Sequence, residues 1–224
     1  MDRANAAGRA AVGAHDTTTL ADDAITSMAA LEALYGEPVP SAVVKEIDHI
    51  SPLHQAYIEA SPFLVLATAG PDGLDCSPRG DPAGFVRVAD RNTLLLPDRR
   101  GNNRLDSLRN IVADPRVAIL FLVPGIGVTL RVNGRARLRT DAALRASFAI
   151  DGKLPTVLVE VTAERVYTQC PKALIRSNLW DPARHRTPDE LPSVGQIMAG
   201  LTDGEIDGAA YDAAYPQRLR ETIY

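Results

Sequence analysis

Residues 128–139 read VTLRVNGRARLR. Val128, Leu130, Val132, Gly134, Ala136 and Leu138 occupy one side of a period-two pattern, and Thr129, Arg131, Asn133, Arg135, Arg137 and Arg139 the other. Side chains alternate across a strand, so this stretch predicts a long β-strand with one face toward a core and one cationic face. Residues 156–169, TVLVEVTAERVYTQ, alternate in the same way, with Val157, Val159, Val161 and Ala163 inward and Glu160 and Glu164 outward. The acids can then stand opposite the arginines as cross-strand pairs, each contributing about 0.2–1 kcal/mol.

Shorter strands precede this pair. FLVLATA (63–69), the turn PDG (71–73) and LDCSPRG (74–80) predict a hairpin, and GFVRV and NTLLLP predict two further strands joined through Ala89, Asp90 and Arg91. RVAILFLVP (116–124) predicts another buried strand. The connections before residue 98 are too short for parallel crossovers, so the sheet is antiparallel. Six or seven such strands with helices at the corners solve their edge problem as a small closed or half-closed barrel. Helices are predicted within TLADDAITSMAALEALYG, where Ile25, Met28, Leu31 and Tyr35 share a face, and in SPLHQAYIEAS, with Ser51 as N-cap and Pro52 at the first position. DAALRASFA reads as a short helix, and the chain from CPKALIRSNLW onward as a helical or irregular cover.

Composition narrows the functional classes. A chain of 224 residues with 46% hydrophobic and 23% charged residues supports one sizeable domain with a proper core. A net charge of −4 gives no overall attraction to nucleic acid. Cys76 and Cys170 show no CxxC spacing and read as reduced thiols, in or near the core, of a cytoplasmic protein. No run of about 18 apolar residues predicts a membrane span, and the start, MDRANAAGRAAVGAHDTTT, lacks an apolar signal region and reads as a flexible leader. His15, His49, His54 and His185 have no metal-ligand spacing, and no GxSxG or Cys/His nucleophile pattern stands out.

The chemistry concentrates at residues 94–115, LLLPDRRGNNRLDSLRNIVADP. Leu105, Leu108, Ile111 and Val112 predict a helix that begins near Asn103, with Asn102 or Asn103 as N-cap, and ends before Asp114-Pro115. A helix N-terminus offers unpaired N–H groups and a partial positive charge; with Arg99, Arg100 and Arg104 beside it, the corner suits an anion such as a phosphate monoester. The alternative is a solvated turn whose asparagines only cap the helix. Arg79 and Arg131 either converge on the same ligand or lie at the surface.

The order SPFLVLATAGPDG, DCSPRGDPAGFVRV, TLLLPDRRGNNRLDSLRNIVADPRVAILFLVPG, TLRVNGRARL resembles the pyridoxamine 5′-phosphate oxidase-like FMN-binding split-barrel family, in particular its FMN-dependent enzymes of unassigned substrate. The resemblance spans roughly residues 45–200. It implies a six-stranded antiparallel split β-barrel over 45–170, preceded by a leader and peripheral helix (1–44) and followed by a C-terminal cover (171–224). It further implies a homodimer with FMN at the subunit interface. By position, Arg99, Asn102, Asn103 and Arg104 would hold the FMN phosphate. Ser77, Pro78 and Arg79 would line the ring and ribityl chain, Pro97 would sit beside the ring, and Thr129 and Arg131 would reach in from the long strand. Lys172, Arg176 and Trp180 would cover the cofactor from the partner chain.

The corner reads GNNR where vitamin B6 oxidases carry Ser-Arg-Lys, and the chain closes with RLRETIY, which argues against pyridoxamine phosphate as substrate. The reading is an oxidoreductase exchanging hydride with flavin N5 and a small organic substrate. Alternatives are a reductase using deazaflavin F420, whose acidic tail would meet the arginine face of 128–139, or a non-catalytic flavin- or haem-binding module, the latter through a histidine such as His185.

Overall fold

The computed structural model, which describes residues 23–224, pairs the two alternating stretches with each other. The strands are β1 (Phe63–Gly70), β2 (Gly73–Gly80), β3 (Arg87–Asp90), β4 (Thr93–Asp98), β5 (Arg116–Leu122), β6 (Thr129–Arg139) and β7 (Val157–Gln169). All join one antiparallel sheet in the order β2-β1-β5-β6-β7-β4-β3. The sheet therefore has seven strands where the family resemblance implies six. The seventh is β3, a four-residue edge strand that pairs only with β4. Phe85 and Val86, read from the sequence as part of that strand, instead enter the core just before it.

The backbone ladder is open, and its ends are drawn together by side chains. Leu64 and Leu66 of β1 share one core with Leu94 and Leu96 of β4, Ile119 and Phe121 of β5, Leu130 and Val132 of β6, and Val159 and Val161 of β7. Strands so far apart in the order share a core only if the sheet curls around it. Burying each such side chain contributes about 1.5–3 kcal/mol, which drives the curl. Across the remaining split, Arg79 Nη1 of β2 donates to Asp98 Oδ1 of β4 at 2.9 Å.

The β6–β7 ladder carries one irregularity. The register shifts between Asn133 and Gly134, so Glu164 is the extra residue of a bulge. At that point the β6 backbone lies against β7, where a Cβ on Gly134 would stand 2.0 Å from Thr162 O. The shift brings Arg137 opposite Glu160. Arg137 Nε and Arg139 Nη1 donate to the two oxygens of Glu160, each at 2.5 Å, so this outward-facing acid is buried beneath its own arginines.

The chain divides into a unit ending at Val39 and a unit spanning Pro40–Tyr224. In the first, α1 (Met28–Leu34) is capped by Ser27, whose Oγ accepts from Ala30 N at 3.2 Å. It is shorter than the sequence periodicity suggests, and Thr19 to Asp22 of that stretch lie outside the described residues. In the second unit, α2 (Pro40–Val44) leads to α3 (Pro52–Ala60), with Ser51 as N-cap and Pro52 first, as read. α4 (Asp106–Ala113) lies across β1, β2 and β6 and sends Ile111 into the core. α5 (Ala142–Ala146) closes a small second cluster of Leu95, Phe148 and Leu158 through Leu144.

The C-terminal segment forms α6 (Lys172–Ser177), two single 3₁₀ turns, α7 (Val194–Leu201) and α8 (Gly208–Thr222). α7 and α8 cross where Gly195 meets Gly208; a Cβ on Gly195 would stand 2.1 Å from Gly208 O. Among the described residues no helix is long and apolar enough to cross a membrane. Both cysteines are exposed rather than in or near the core. Cys76 pairs with Ala67 on the outward side of an edge strand, and Cys170 lies just past the end of β7.

Candidate functional site

β4 ends at Asp98, and the chain then turns through the quoted corner before α4 begins. The helix starts at Asp106, three residues later than the sequence suggests, and neither asparagine caps it. Asn102 Oδ1 is already engaged in the turn, accepting from Arg104 N at 3.0 Å. Asn103 and Leu105 take left-handed conformations (φ 60° and 62°), and Leu105 occupies the N-cap position without a side-chain cap. Leu105 and Val112 of the predicted apolar face are exposed, since the turn rotates only Ile111 and Leu108 onto the sheet.

A cleft of about 490 Å³ opens at this helix start. One wall is β2 with Ser77, Pro78 and Arg79; another is the turn from Asp98 to Leu105; the floor is the first turn of α4 with Thr156 and Val157 of the β7 approach. Its volume falls in the range that holds small ligands and cofactors. The helix end contributes backbone N–H groups that lack a side-chain cap, and the partial positive charge of the dipole.

The carboxylates around the cleft are all engaged. Asp75 Oδ2 accepts from Ser107 Oγ at 2.5 Å and Ser77 Oγ at 2.9 Å, and these hydrogen bonds, that from Ser107 foremost, hold its pKa below the ordinary aspartate value. Burial pushes Asp98 the other way, raising its pKa despite the Arg79 guanidinium. Arg104, largely exposed, donates through Nε to Asp106 Oδ2 at 2.6 Å.

The two inner arginines differ in what they have left to offer. Arg99 Nε donates to the buried Asp81 Oδ2 at 2.7 Å and Nη1 to Phe148 O at 2.8 Å. The Tyr224 hydroxyl donates to the other Asp81 oxygen at 2.7 Å, which raises the tyrosine pKa. Arg99 therefore braces the turn with part of its fork. Arg79 also binds an acid, but its Nε is buried without a partner. A buried unpaired N–H costs about 1–3 kcal/mol, so Arg79, a residue of the cleft wall, is left incompletely satisfied by the protein's own groups.

Of the thirteen residues singled out from sequence, Ser77, Pro78, Arg79, Arg99, Asn102, Asn103 and Arg104 line this one cleft. Pro97 is buried and lines a smaller adjoining recess with Pro78, Arg79 and Arg99. The other five lie elsewhere in the chain. Thr129 and Arg131 stand on the outward face of β6, where Thr129 is buried and Arg131 Nη1 donates to Tyr167 OH at 3.0 Å. Lys172 and Arg176 are exposed on α6, and Trp180 Nε1 donates to Ile126 O at 2.9 Å beside the β5–β6 turn. His185 is exposed after the first 3₁₀ turn, and no cluster of metal-ligating side chains occurs among the described residues.

Sequence reading passed over Asp75, Asp81, Asp98, Ser107 and Tyr224. Asp98 and Ser107 flank the flagged arginines and asparagines within one stretch; for Asp81 and Tyr224, 143 positions apart, no local signal exists.

Comparison with known proteins places the cleft in context. No curated protein matches the chain. Among solved structures, HupZ from Group A Streptococcus is 17% identical, with 54% of this chain and 94% of that one covered at a TM-score of 0.44. General Stress Protein 26 from Bacillus anthracis is 18% identical, with 50% and 88% covered at 0.39. An FAD-binding protein from Mesorhizobium loti is 18% identical, with 54% and 94% covered at 0.36. The family model described as pyridoxamine 5′-phosphate oxidase matches residues 50–170, which contain all seven strands and the cleft. By that match, covering more than half of its length, the chain belongs to the pyridoxamine 5′-phosphate oxidase-like family.

Proposed function

We propose that this chain is an FMN-dependent oxidoreductase that acts on a small organic substrate as a homodimer. The observation that carries the reading is the buried, unpartnered Nε of Arg79 in a cleft that also receives the start of α4. The lining suits a flat phosphorylated ligand. Arg104, Asn102 and the N–H groups of the first helical turn would hold a phosphate, while Pro78, Pro97 and Val157 offer apolar contact to a ring. The nearby acids do not oppose this, because Asp106 is paired with Arg104 and Asp98 with Arg79.

Bound FMN supplies hydride exchange at its N5. The chain's own part is to bind and orient: Arg79 and Ser77 position polar groups from one side, and the corner fixes the anionic end from the other. A deazaflavin is the weaker reading, since two of the four arginines on the face of 128–139 that would receive its acidic tail, Arg137 and Arg139, are held by Glu160.

The outward sheet face supports the homodimer. Cross-strand neighbours Phe63–Leu122, Val65–Leu120 and Ala67–Ala118 make an apolar patch there, and the Val65–Leu120 row runs from Pro78 of the cleft to Arg131. A second copy on this face would bring its own Thr129, Arg131 and α6 toward the cleft rim. Leu120→Asp should then yield a monomer by sedimentation, with weakened FMN binding; a dimer of unchanged mass would remove this face from the interface.

The first test is the absorption spectrum of the purified protein with mass identification of the released ligand, where flavin bands and the FMN mass are expected. Arg104→Ala should then weaken FMN binding about tenfold, one charge-assisted contact of ~1.4 kcal/mol, with little change in stability because the side chain is exposed. Unchanged affinity would remove Arg104 from the phosphate site.

A further inference from the structure

The turn formed by Arg100, Gly101 and Asn102 is a wall with two sides. One faces the cofactor cleft; the other closes a groove of about 590 Å³ against α8. The α8 side is aromatic, apolar and cationic. Tyr211 and Tyr215, one turn apart, stack with centroids 6.3 Å apart and planes at 22°. The Arg218 guanidinium lies 4.4 and 5.3 Å from the two rings, and the exposed Leu219 and Ile223 extend the surface.

No carboxylate lines the groove. Among the described residues, neither Arg100 nor Arg218 has an acid within ion-pair distance. The two walls are also tied together just past α8, where Tyr224 hydrogen-bonds Asp81, the acid that anchors Arg99 of the same turn. The groove is thus a defined feature that adjoins the cleft across the Arg100–Asn102 turn.

We propose that this groove binds the substrate, and that the substrate is a planar, conjugated carboxylic acid. The inference rests on the reading that the adjoining cleft holds a flavin, and adds the chemical class that reaches it. A guanidinium held over tyrosine rings through its face leaves N–H groups at its edge, which a carboxylate accepts bidentately. The rings and the Leu219–Ile223 surface receive a flat hydrocarbon face. A phosphate dianion fits less well, because the partial negative charge at the C-terminal end of α8 opposes any anion and a dianion more than a carboxylate, and a phosphate offers no flat face to the rings.

The test is equilibrium titration of the full chain with 2-naphthoate and its neutral isostere 2-naphthamide, each with and without FMN, beside a separate FMN titration. Saturable naphthoate binding is expected, with naphthamide at least about tenfold weaker. Arg218→Gln should weaken naphthoate about tenfold while leaving FMN affinity within about twofold. Tyr215→Leu should weaken both probes alike, through loss of ring contact. Equal affinity for the two probes, or naphthoate binding unaffected by Arg218→Gln, would overturn the proposal. If FMN fails to bind the wild-type chain while the naphthoate pattern holds, the flavin reading falls and the groove stands as an acid-binding site. If FMN binds and naphthoate does not, the flavin reading stands alone.

Discussion

Two parts of this molecule look alike in sequence: the arginine face of β6 and the arginine corner between β4 and α4. On β6, Arg137 and Arg139 converge on one buried carboxylate, Arg131 donates to Tyr167, and Arg135 has no acid within ion-pair distance among the described residues. At the corner Arg104 is matched only by an exposed neighbour, Arg100 has no acid among the described residues, and Arg79 keeps a buried N–H unpaired. A count of cations would rank the two regions equally. What separates them is enclosure: the corner lines a cleft and keeps a buried N–H unpaired, whereas the β6 arginines stand on an outward sheet face, and so a candidate site is better identified by concavity and unsatisfied groups than by charge.

The sharpest way to break this contrast is at the bulge that sets the β6–β7 register. Gly134→Ala places a Cβ 2.0 Å from Thr162 O and should cost about 3 kcal/mol or more, as the ladder separates and Arg137 loses its alignment with Glu160. Denaturant unfolding measures this, and a loss below about 1 kcal/mol would mean that the ladder tolerates the residue. Glu160→Gln tests the ion-paired end of that face directly. Leaving Arg137 and Arg139 without their shared anion should lower stability by about 1–3 kcal/mol, moderated by the exposure of both arginines, with FMN affinity unaffected. A change in FMN affinity instead would put the β6 face into the site.

The smallest effect belongs to Asp75, the carboxylate that holds Ser77 and Ser107 of the cleft lining. The hydrogen bonds from Ser107 and Ser77 depress the pKa of Asp75, so their contribution is present above the ordinary aspartate value of about 3.9 and is lost as pH falls through the lowered folded value. Amide exchange in α4 should therefore quicken on acidification through that window. In Asp75→Asn the stability deficit, about 1 kcal/mol or less at neutral pH, should vanish at the acid end. A deficit independent of pH would place the effect in packing rather than ionisation.

Much of the sheet was legible in advance. The alternation in β6 and β7, the PDG turn between β1 and β2, and the Ser51-Pro52 start of α3 all depend on neighbours a few residues away, and each appears as read. The α4 start was misplaced because two asparagines look like caps in isolation, while Asn102 spends its oxygen inside the turn. The cysteines were misread because burial depends on whether a strand lies at an edge, and Cys76 sits on one.

Sequence alone determined most of the elements, the antiparallel pairing and the stretch whose polar side chains line the cleft, because side-chain periodicity, turn geometry and helix-end polarity are local. Tertiary structure decided which of the flagged residues meet. Only the curl of the sheet brings Arg79 of β2 to Asp98 of β4, and only the packing of the C-terminal segment sets Tyr224 on Asp81. Such pairings depend on where distant strands come together, and the core that bends the sheet draws on residues of nearly every strand at once.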